Sequence, residues 1–493
     1  MTLSKSQYIR GLQCHKSLWL YKNKPELRDA PDHALESLFN TGHSVGELAK
    51  KLFPNGNEVE FDASNFKGMI SKTKELITGD TEVIYEATFS ENGIFAMADI
   101  LVKNGDGWDM YEVKASTQVK DVHINDTAIQ WYALSKVLNL KHAYVMHINN
   151  QYAREGELNI EELFTIEDVT DMVFEKQDEI EPQLLEMKSM IKGGMPDIDI
   201  GKHCSDPYDC DFSSYCWKHI PKKNSVFDIS YAMGKQWELY YQGILRMDDV
   251  PDNFHFGSNA ALQIEYYKSQ EIKIDKPQIR SFLNTIEYPI NFFDFETFQN
   301  AIPRFDKQRP YAQMPFQYSL HILHEDGTLE HKEFLGDENS DPRLPLAKQM
   351  LQDITPTGSI VAYSQGFEKG KIRNLAELFE KLREDLLALN ERFVDIAHPF
   401  QYKYYYNPKF NGKYSIKIVL PTLFPNDDEL DYKKLGSIQN GGDAMDTFAN
   451  LHLIKDKTKI DEIKKDLLAY CHLDTLAMVR IWAKLEFMCK NDL

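Results

Sequence analysis

Two stretches of this chain place acids in patterns suited to phosphodiester chemistry. In the first, Asp99 lies in the strand-like run GIFAMADILVK, and Glu112 and Lys114 follow after a turn in GWDMYEVKAS. Strand alternation puts Glu112 and Lys114 on one face and Val113 on the other. Two carboxylates from neighbouring strands can hold a divalent metal, and a lysine beside them can orient or help deprotonate an attacking water. In the second, Asp294 and Glu296 stand two apart on the otherwise apolar strand FFDFETF and so share a face. Like charges buried that close repel one another and lose hydration, a cost that a metal ion relieves. Tyr470 and Asp474 are four apart near the end of the sequence and share one face of a helix. Taken singly, E-x-K reads as a cross-strand charge pair and each remaining acid as a solvated surface group. Their order on suitable elements carries the catalytic reading.

The elements that must position these groups divide the chain into three parts. Residues 1–80 read as helices, LQCHKSLWLYK and ALESLFNTGHSVGELAKKLF, with apolar residues at three- and four-residue spacing. Three strands follow, TEVIYEATFS, GIFAMADILVK and GWDMYEVKAS, parted by turns at Glu91-Asn92-Gly93 and Asn104-Gly105-Asp106-Gly107. A helix (TAIQWYALSKVLNL), a strand (HAYVMHI) and an acidic, helical segment complete a unit expected to span 1–225. Residues 226–285 read as a helical connector, with GKQWELYYQGILRM its clearest helix and Pro251 a break. The third part, 286–493, starts with PINFFDFETF and continues through a hairpin turning at Glu325-Asp326-Gly327 and the buried strand GSIVAYS. KIRNLAELFEKLREDLLAL reads as one long amphipathic helix, and DEIKKDLLAYCHLDTLAMVRIWAKLEFM as another. Both large parts are expected to be α/β.

About the first 220 residues resemble the PD-(D/E)XK restriction-endonuclease-like superfamily, specifically RecB-type nucleases and the iron–sulfur nuclease associated with CRISPR adaptation. His43 in TGHSVGEL matches their histidine on an early helix, and Glu86 their acid ahead of the Asp strand. Gln130 and Tyr132 match the Gln and Tyr on the helix after E-x-K, at a shorter spacing than the common RecB form. The resemblance implies that His43, Glu86, Asp99 and Glu112 hold Mg²⁺ or Mn²⁺, with Lys114, Gln130 and Tyr132 catalytic. A single helical histidine otherwise more often sits in a core.

Cys204, Cys210 and Cys216 fall within thirteen residues, far from Cys14. Together the four resemble the thiolate clasp that holds a 4Fe-4S cluster in those nucleases and ties the two ends of the domain together. Zinc is the rival, since four-cysteine sites serve it too and His203 or His219 could substitute. Spacings of five residues are looser than those of zinc fingers and favour the cluster.

The third part resembles DnaQ-like exonucleases of the RNase H-like superfamily, in the class whose final motif is Tyr-x-x-x-Asp. IVAYSQGFEKGKIRNL matches the middle motif, with Glu368 where Asp is usual and Ser364 and Gln365 where Asn often lies. By resemblance Asp294, Glu296 and Asp474 hold one metal, Asp294 bridges to a second, and Glu368 reaches a metal through water. Tyr470 would orient the attacking water. Asp395, in RFVDIAHPF, is read as scaffold.

With 76 acidic and 56 basic residues the net charge is −20, which at first argues against a polyanionic partner. The excess is local, because residues 151–200 hold 14 acids and 4 bases while the first 50 hold 5 acids and 7 bases. Metal-dependent nucleases also gather acids that only a cation neutralises. In QYKYYYNPKFNGKYSIK, residues 401–417, four lysines and six aromatics stand without an acid. Either Tyr404 stacks on unpaired bases while Lys403, Lys409 and Lys413 meet phosphates, or the aromatics pack into their own core. No run approaches the roughly 20 apolar residues that span a bilayer, and MTLSKSQYIRG lacks a signal segment, so a cytoplasmic location without membrane contact is expected. The layout resembles a bacterial family that joins a RecB-like iron–sulfur nuclease to a DnaQ-like exonuclease. The expected activity is metal-dependent hydrolysis of DNA at single-stranded or frayed ends, by two active sites, in repair, recombination or defence. RNA processing and a non-catalytic nucleic-acid clamp are the alternatives.

Overall fold

The computed structural model describes residues 1–30 and 33–490, with side chains for 1–30 and 41–490. The chain forms two compact units, Met1–His219 with Asn300–Tyr311, and Ile220–Gln299 with Ala312–Leu493. The expected connector is therefore part of the second unit, where Val226, Ile229, Leu239, Met247 and Ile264 build a small core of their own. Residues 300–311, expected in the second unit, belong to the first: Ala301 joins its core and the Tyr311 hydroxyl donates to the Ala115 carbonyl. That stretch, AIPRFDKQRPYA, has no periodic pattern to reveal which sheet it covers.

In the first unit the strands are β1 (Leu3–Ser4), β2 (Asn57–Glu58), β3 (Val83–Glu91), β4 (Ile94–Asn104), β5 (Gly107–Lys114), β6 (Leu140–Ile148) and β7 (Phe164–Asp168). They lie in the order β2-β3-β4-β5-β6-β7, with β1 beside β4. β3, β4 and β5 form an antiparallel meander. Its first turn is the Asn92-Gly93 pair, both with positive φ (51° and 75°), as a tight hairpin requires. The helix Asp121–Leu134 then crosses to β6, which runs parallel to β5. This helix is buried on nearly every side, so its sequence shows little amphipathic contrast. Ile84, Ala98, Leu101, Met110, Ile129 and Leu134 pack in the core between helix and sheet. A reciprocal cap, with Ser4 Oγ accepting from Gln7 N and Gln7 Oε1 from Ser4 N, starts the helix Lys5–Gln13 directly after β1. Because β1 pairs with β4, this cap fixes Lys5 beside the sheet.

The second unit holds β8 (Lys273–Ile274), β9 (Ile290–Phe298), β10 (Met314–Leu323), β11 (Leu329–Leu335), β12 (Ile360–Ala362), β13 (Phe393–Asp395) and β14 (Tyr405–Tyr406). Five of them make a mixed sheet in the order β11-β10-β9-β12-β13, while β14 and β8 pair separately. β9, β10 and β11 are antiparallel neighbours, whereas β12 and β13 run parallel to β9. The 34-residue helix Lys457–Lys490 packs on β9 and β10. Phe293, Tyr318, Leu320, Leu346, Ile360 and Ile372 lie in the main core. The expected long helix over 371–389 is broken into Gly366–Leu378 and Arg383–Asn390, because Phe379 and Leu382 turn in to pack against that core. Apolar spacing persists across the break, which hides it from a periodicity reading. Asp395, at the end of β13, accepts from Ser364 N (2.9 Å), Gln365 N (3.2 Å) and Ala397 N (3.0 Å) and so anchors the start of the helix bearing Glu368. Among the described residues, no helix is long and apolar enough to cross a membrane.

Candidate functional site

The tightest convergence of acids lies in the second unit. Asp294 and Glu296 leave β9 on the face covered by the helix Lys457–Lys490, and the ligand atoms of Asp294, Glu296 and Cys471 lie within 4.8 Å of one another. Glu368, in the first turn of Gly366–Leu378, is 2% exposed, and its Oε2 has no hydrogen-bond partner. Asp474 Oδ1 accepts from the Tyr432 hydroxyl, and Lys417 Nζ donates to Tyr470 Oη at 2.9 Å. Burial, then Asp474, Glu296 and Glu368, push Asp294 well above the usual carboxylate range. Burial and Asp474 do the same to Glu296. Burial lifts Asp474 to about 6, against the pull of Tyr432 and Lys417. Burial also lifts Glu368 to about 8, with Asp395 adding to the effect. A hard divalent cation would suit the oxygen donors of this set and would neutralise their charge. Burial and Asp294 keep the Cys471 thiol protonated, so it packs beside the acids as a neutral neighbour.

The first unit brings together most of the other predicted residues. His43, Glu86, Asp99, Glu112 and Lys114 line a cleft of about 310 Å³, joined by Lys5 and Lys50. The β4–β5 ladder ends at Ile100–Tyr111, and Asp99 Oδ2 then accepts from Val113 N at 2.7 Å. Tyr85 pairs with Ile100 and Ala87 with Ala98, which leaves Glu86, in a left-handed conformation (φ 56°), opposite Asp99. Glu112 is 1% exposed and accepts from Lys5 Nζ (2.8 Å), Lys114 Nζ (2.6 Å) and Gln130 Nε2 (2.6 Å). Lys114 Nζ also meets Asp126 Oδ2 at 2.5 Å. Burial would raise the Glu112 carboxyl, but Lys114 and Lys5 outweigh it and hold the group below its usual range. Asp99 is lifted to about 7 by burial and by Glu112. Burial is likewise outweighed at Lys114 by Asp126, Glu112 and Asp99, so that ammonium stays charged and acts as a donor rather than a base. His43 is exposed on the cleft wall. Tyr132 does not join it: two residues past Gln130 it turns into the core, with Lys136 over its ring at 5.4 Å.

Cys14, Cys204, Cys210 and Cys216 line one small cavity as free thiols. Arg10 and Arg28 both bind Asp211, and Gln13 Nε2 reaches His203 O (2.8 Å) and Tyr208 O (2.6 Å), so the helix Lys5–Gln13 and the chain at Arg28 are tied to the cysteine loop. Burial pushes Cys216 up to about 11 and also raises Cys14. Among the described residues, the sets whose ligand atoms converge within 4.8 Å do not include these thiols. A tetrahedral zinc with Zn–S of about 2.3 Å would hold its sulfurs roughly 3.8 Å apart, so the quartet is spread wider than zinc requires.

The stretch 401–417 splits between its two readings. Lys403 is buried between the rings of Tyr406 and Tyr414, at 5.5 and 5.4 Å, so it is a scaffold cation and not a phosphate contact. Tyr405, Tyr406 and Phe410 are buried against one another. Lys409 and Lys413 are exposed, and half-buried Tyr404 stacks with exposed Tyr402 at 6.0 Å.

Six residues named at these centres lie outside the expected set, one of them Lys50, which meets Glu86 at 3.8 Å and has no motif. Asp126 lies four residues before Gln130, so helical spacing could have found it. Lys5 reaches Glu112 only because β1 pairs with β4, which leaves no local signal. Lys417 was visible as one of four lysines, but nothing in the sequence ties it to Tyr470. Cys471 and Tyr432 carry no motif.

The acid set of the second unit sets a pH dependence. Glu368 and Asp474 bind protons more tightly folded than at their ordinary values of 4.5 and 3.8, so stability falls as pH rises toward about 8 for Glu368 and about 6 for Asp474. Thermal unfolding without divalent metal should therefore show the second unit losing stability between pH 6 and pH 8. Glu368→Gln should recover on the order of 1–3 kcal/mol at pH 8, and Mg²⁺ should recover it in the unmodified chain. A Glu368→Gln chain with an unchanged pH slope would contradict this.

Residues 291–415 match the model of a family described as a domain of unknown function (DUF2779). The match contains Asp294, Glu296 and Glu368 and stops short of Lys417, Tyr470 and Asp474. Uncharacterized protein MG366 of Mycoplasma genitalium is 25% identical over 328 residues, covering 59% of this chain and 49% of that protein. Its homolog in Mycoplasma pneumoniae is 26% identical over 220 residues, 41% of this chain and 33% of the relative. Uncharacterized protein UU173 of Ureaplasma parvum is 26% identical over 240 residues, 44% and 34% of the two chains. The chain matches half or less of the length of each of these curated relatives.

Proposed function

We propose that this chain is a metal-dependent nuclease with two phosphodiester-cleaving centres, one in each unit, acting on DNA at single-stranded or frayed ends. The observation that carries the reading is the set of acids Asp294, half-buried, and Glu296, Glu368 and Asp474, buried, with the unpartnered Oε2 of Glu368 among them. Mg²⁺ or Mn²⁺ would be held by Asp294, Glu296 and Asp474, with Glu368 beside them, and would neutralise charge developing on a phosphate. Tyr470, kept protonated by burial and by Asp474, has its hydroxyl oxygen fixed by Lys417 and can orient a water by hydrogen bonding. Lys417 brings a positive charge toward a bound phosphate. In the first unit Glu86, Asp99, Glu112 and His43 line the cleft that would take the metal, and Lys114 donates to the scissile phosphate or the water. Gln130 and Lys5 hold Glu112 in place.

The scaffolds support the two family resemblances. The first unit runs helix, three antiparallel strands, helix and a parallel strand, in keeping with a PD-(D/E)XK domain. A mixed five-stranded sheet closed by a long helix is in keeping with an RNase H-like domain. Exposed Lys409 and Lys413 and the Tyr402–Tyr404 stack are groups that could meet the phosphates and bases of an unpaired strand. The four thiols would carry a 4Fe-4S cluster that clasps the N-terminal helices to the 204–216 loop, a structural role. Repair, recombination or defence against foreign DNA in the cytoplasm would suit such an enzyme.

Two experiments test this. End-labelled single- and double-stranded DNA and RNA, incubated with the full chain and Mg²⁺ or Mn²⁺, should show metal-dependent loss of DNA. Asp99→Ala or Lys114→Ala should remove the first centre's share and Asp294→Ala or Asp474→Ala the second's, each by roughly 100-fold or more. Undiminished cleavage by a chain carrying both Asp99→Ala and Asp294→Ala would sink the proposal, and selective loss of RNA would reassign the substrate. Separately, protein purified without oxygen should be brown, with visible absorption that fades in air and is lost in Cys210→Ser. Colourless protein containing zinc would give the thiols to zinc, and protein with neither metal would leave the clasp without support.

A further inference from the structure

Three histidines meet in the second unit outside the acid set. His321 on β10 and His331 on β11 are directly paired across the strands, so both rings stand on the same face of the sheet. The helix Lys457–Lys490 lays His472 against them, with ring centroids 4.5, 4.8 and 4.3 Å apart. One ring nitrogen from each lies within 4.8 Å of the other two. His472 Nδ1 and His331 Nε2 face each other at 3.2 Å. In a tetrahedral site with metal–nitrogen bonds of about 2.0–2.1 Å, neighbouring ligand nitrogens sit roughly 3.3–3.4 Å apart, which is close to that spacing.

The surroundings hold the third ring. Thr475 Oγ1 lies 2.8 Å from His321 Nδ1, 2.7 Å from Ser319 Oγ and 3.1 Å from His472 O, and Ser319 Oγ lies 3.0 Å from His331 Nε2. When His321 Nδ1 donates to Thr475 Oγ1, its Nε2 carries the free lone pair, as in a histidine whose other ring nitrogen is held by an outer hydrogen bond. Burial and the neighbouring rings lower the affinity of His321 and His331 for protons. His331 and His472 lie toward the surface, which leaves room for water in a fourth position.

We propose that His321, His331 and His472 form a three-imidazole site for Zn²⁺ that pins the last helix to β10 and β11. Nitrogen donors select a borderline ion such as zinc over Mg²⁺ or Mn²⁺, which belong with the oxygen ligands of Asp294 and Glu296. The same helix carries Tyr470 and Asp474, so the zinc would act as a positioning element for those side chains. The site does not depend on the nuclease reading, since the three rings and their outer partners define it alone.

The test uses the full chain stripped of metal, equilibrated with Zn²⁺, desalted and analysed for zinc per chain. His331→Gln and His472→Gln should each hold one zinc fewer than the unmodified chain, with unchanged circular dichroism. The difference between chains removes any zinc held by the cysteines. Zn²⁺ should raise the thermal midpoint of the unmodified chain, the rise should shrink in both variants, and Mg²⁺ should leave it the same size in all three chains. Zinc content identical in the unmodified chain and both variants would overturn the proposal and leave the rings as a hydrogen-bonded network with Ser319 and Thr475.

Discussion

Carboxylates taken out of water beside one another must be neutralised, and much of the second unit is arranged around that requirement. Asp294 and Glu296 come from β9, Asp474 from the last helix and Glu368 from the helix anchored by Asp395. Each pKa unit is about 1.4 kcal/mol, so ionising Glu368 alone against its shift costs a few kcal/mol. Domains are stable by only about 5–15 kcal/mol, so the packing of Phe293, Tyr318 and Leu320 holds a centre that opposes its own assembly. Tyr432 and Lys417 relieve part of the cost, at Asp474 above all. A divalent cation is the partner that would relieve the rest.

The first unit meets the same problem differently. Its most buried acid, Glu112, is neutralised from within the chain by Lys5, Lys114 and Gln130 and stays ionised. The cost falls instead on Asp99, which faces the open cleft and is lifted to about 7. One centre is thus balanced by its own lysines, while the other is left short of positive charge.

What the sequence reveals follows from how local each signal is. Strand alternation suffices to put Glu112 with Lys114 and Asp294 with Glu296, because two-residue periodicity is a property of a single strand. The long helix over 457–490 and the meander of β3 to β5 are legible for the same reason. Contacts made by tertiary pairing are not: Lys5 arrives through β1, Tyr432 through a loop, and His331 through a hairpin register. Lys403 shows the reverse failure, since a lysine among tyrosines reads as a nucleic-acid contact until burial shows that those rings enclose it. Tyr132 fails because a two-residue step on a helix points a side chain away from its neighbour's target.

We infer that Asp294, Glu296, Glu368 and Asp474 of the second unit form a divalent-cation site. The most direct test is Mn²⁺ binding, followed by electron paramagnetic resonance, to the chain carrying Asp99→Asn so that the first centre contributes little. That chain should bind Mn²⁺, and adding Asp294→Asn with Asp474→Asn should weaken binding by tenfold or more. Mn²⁺ affinity unchanged by those two substitutions would contradict the claim.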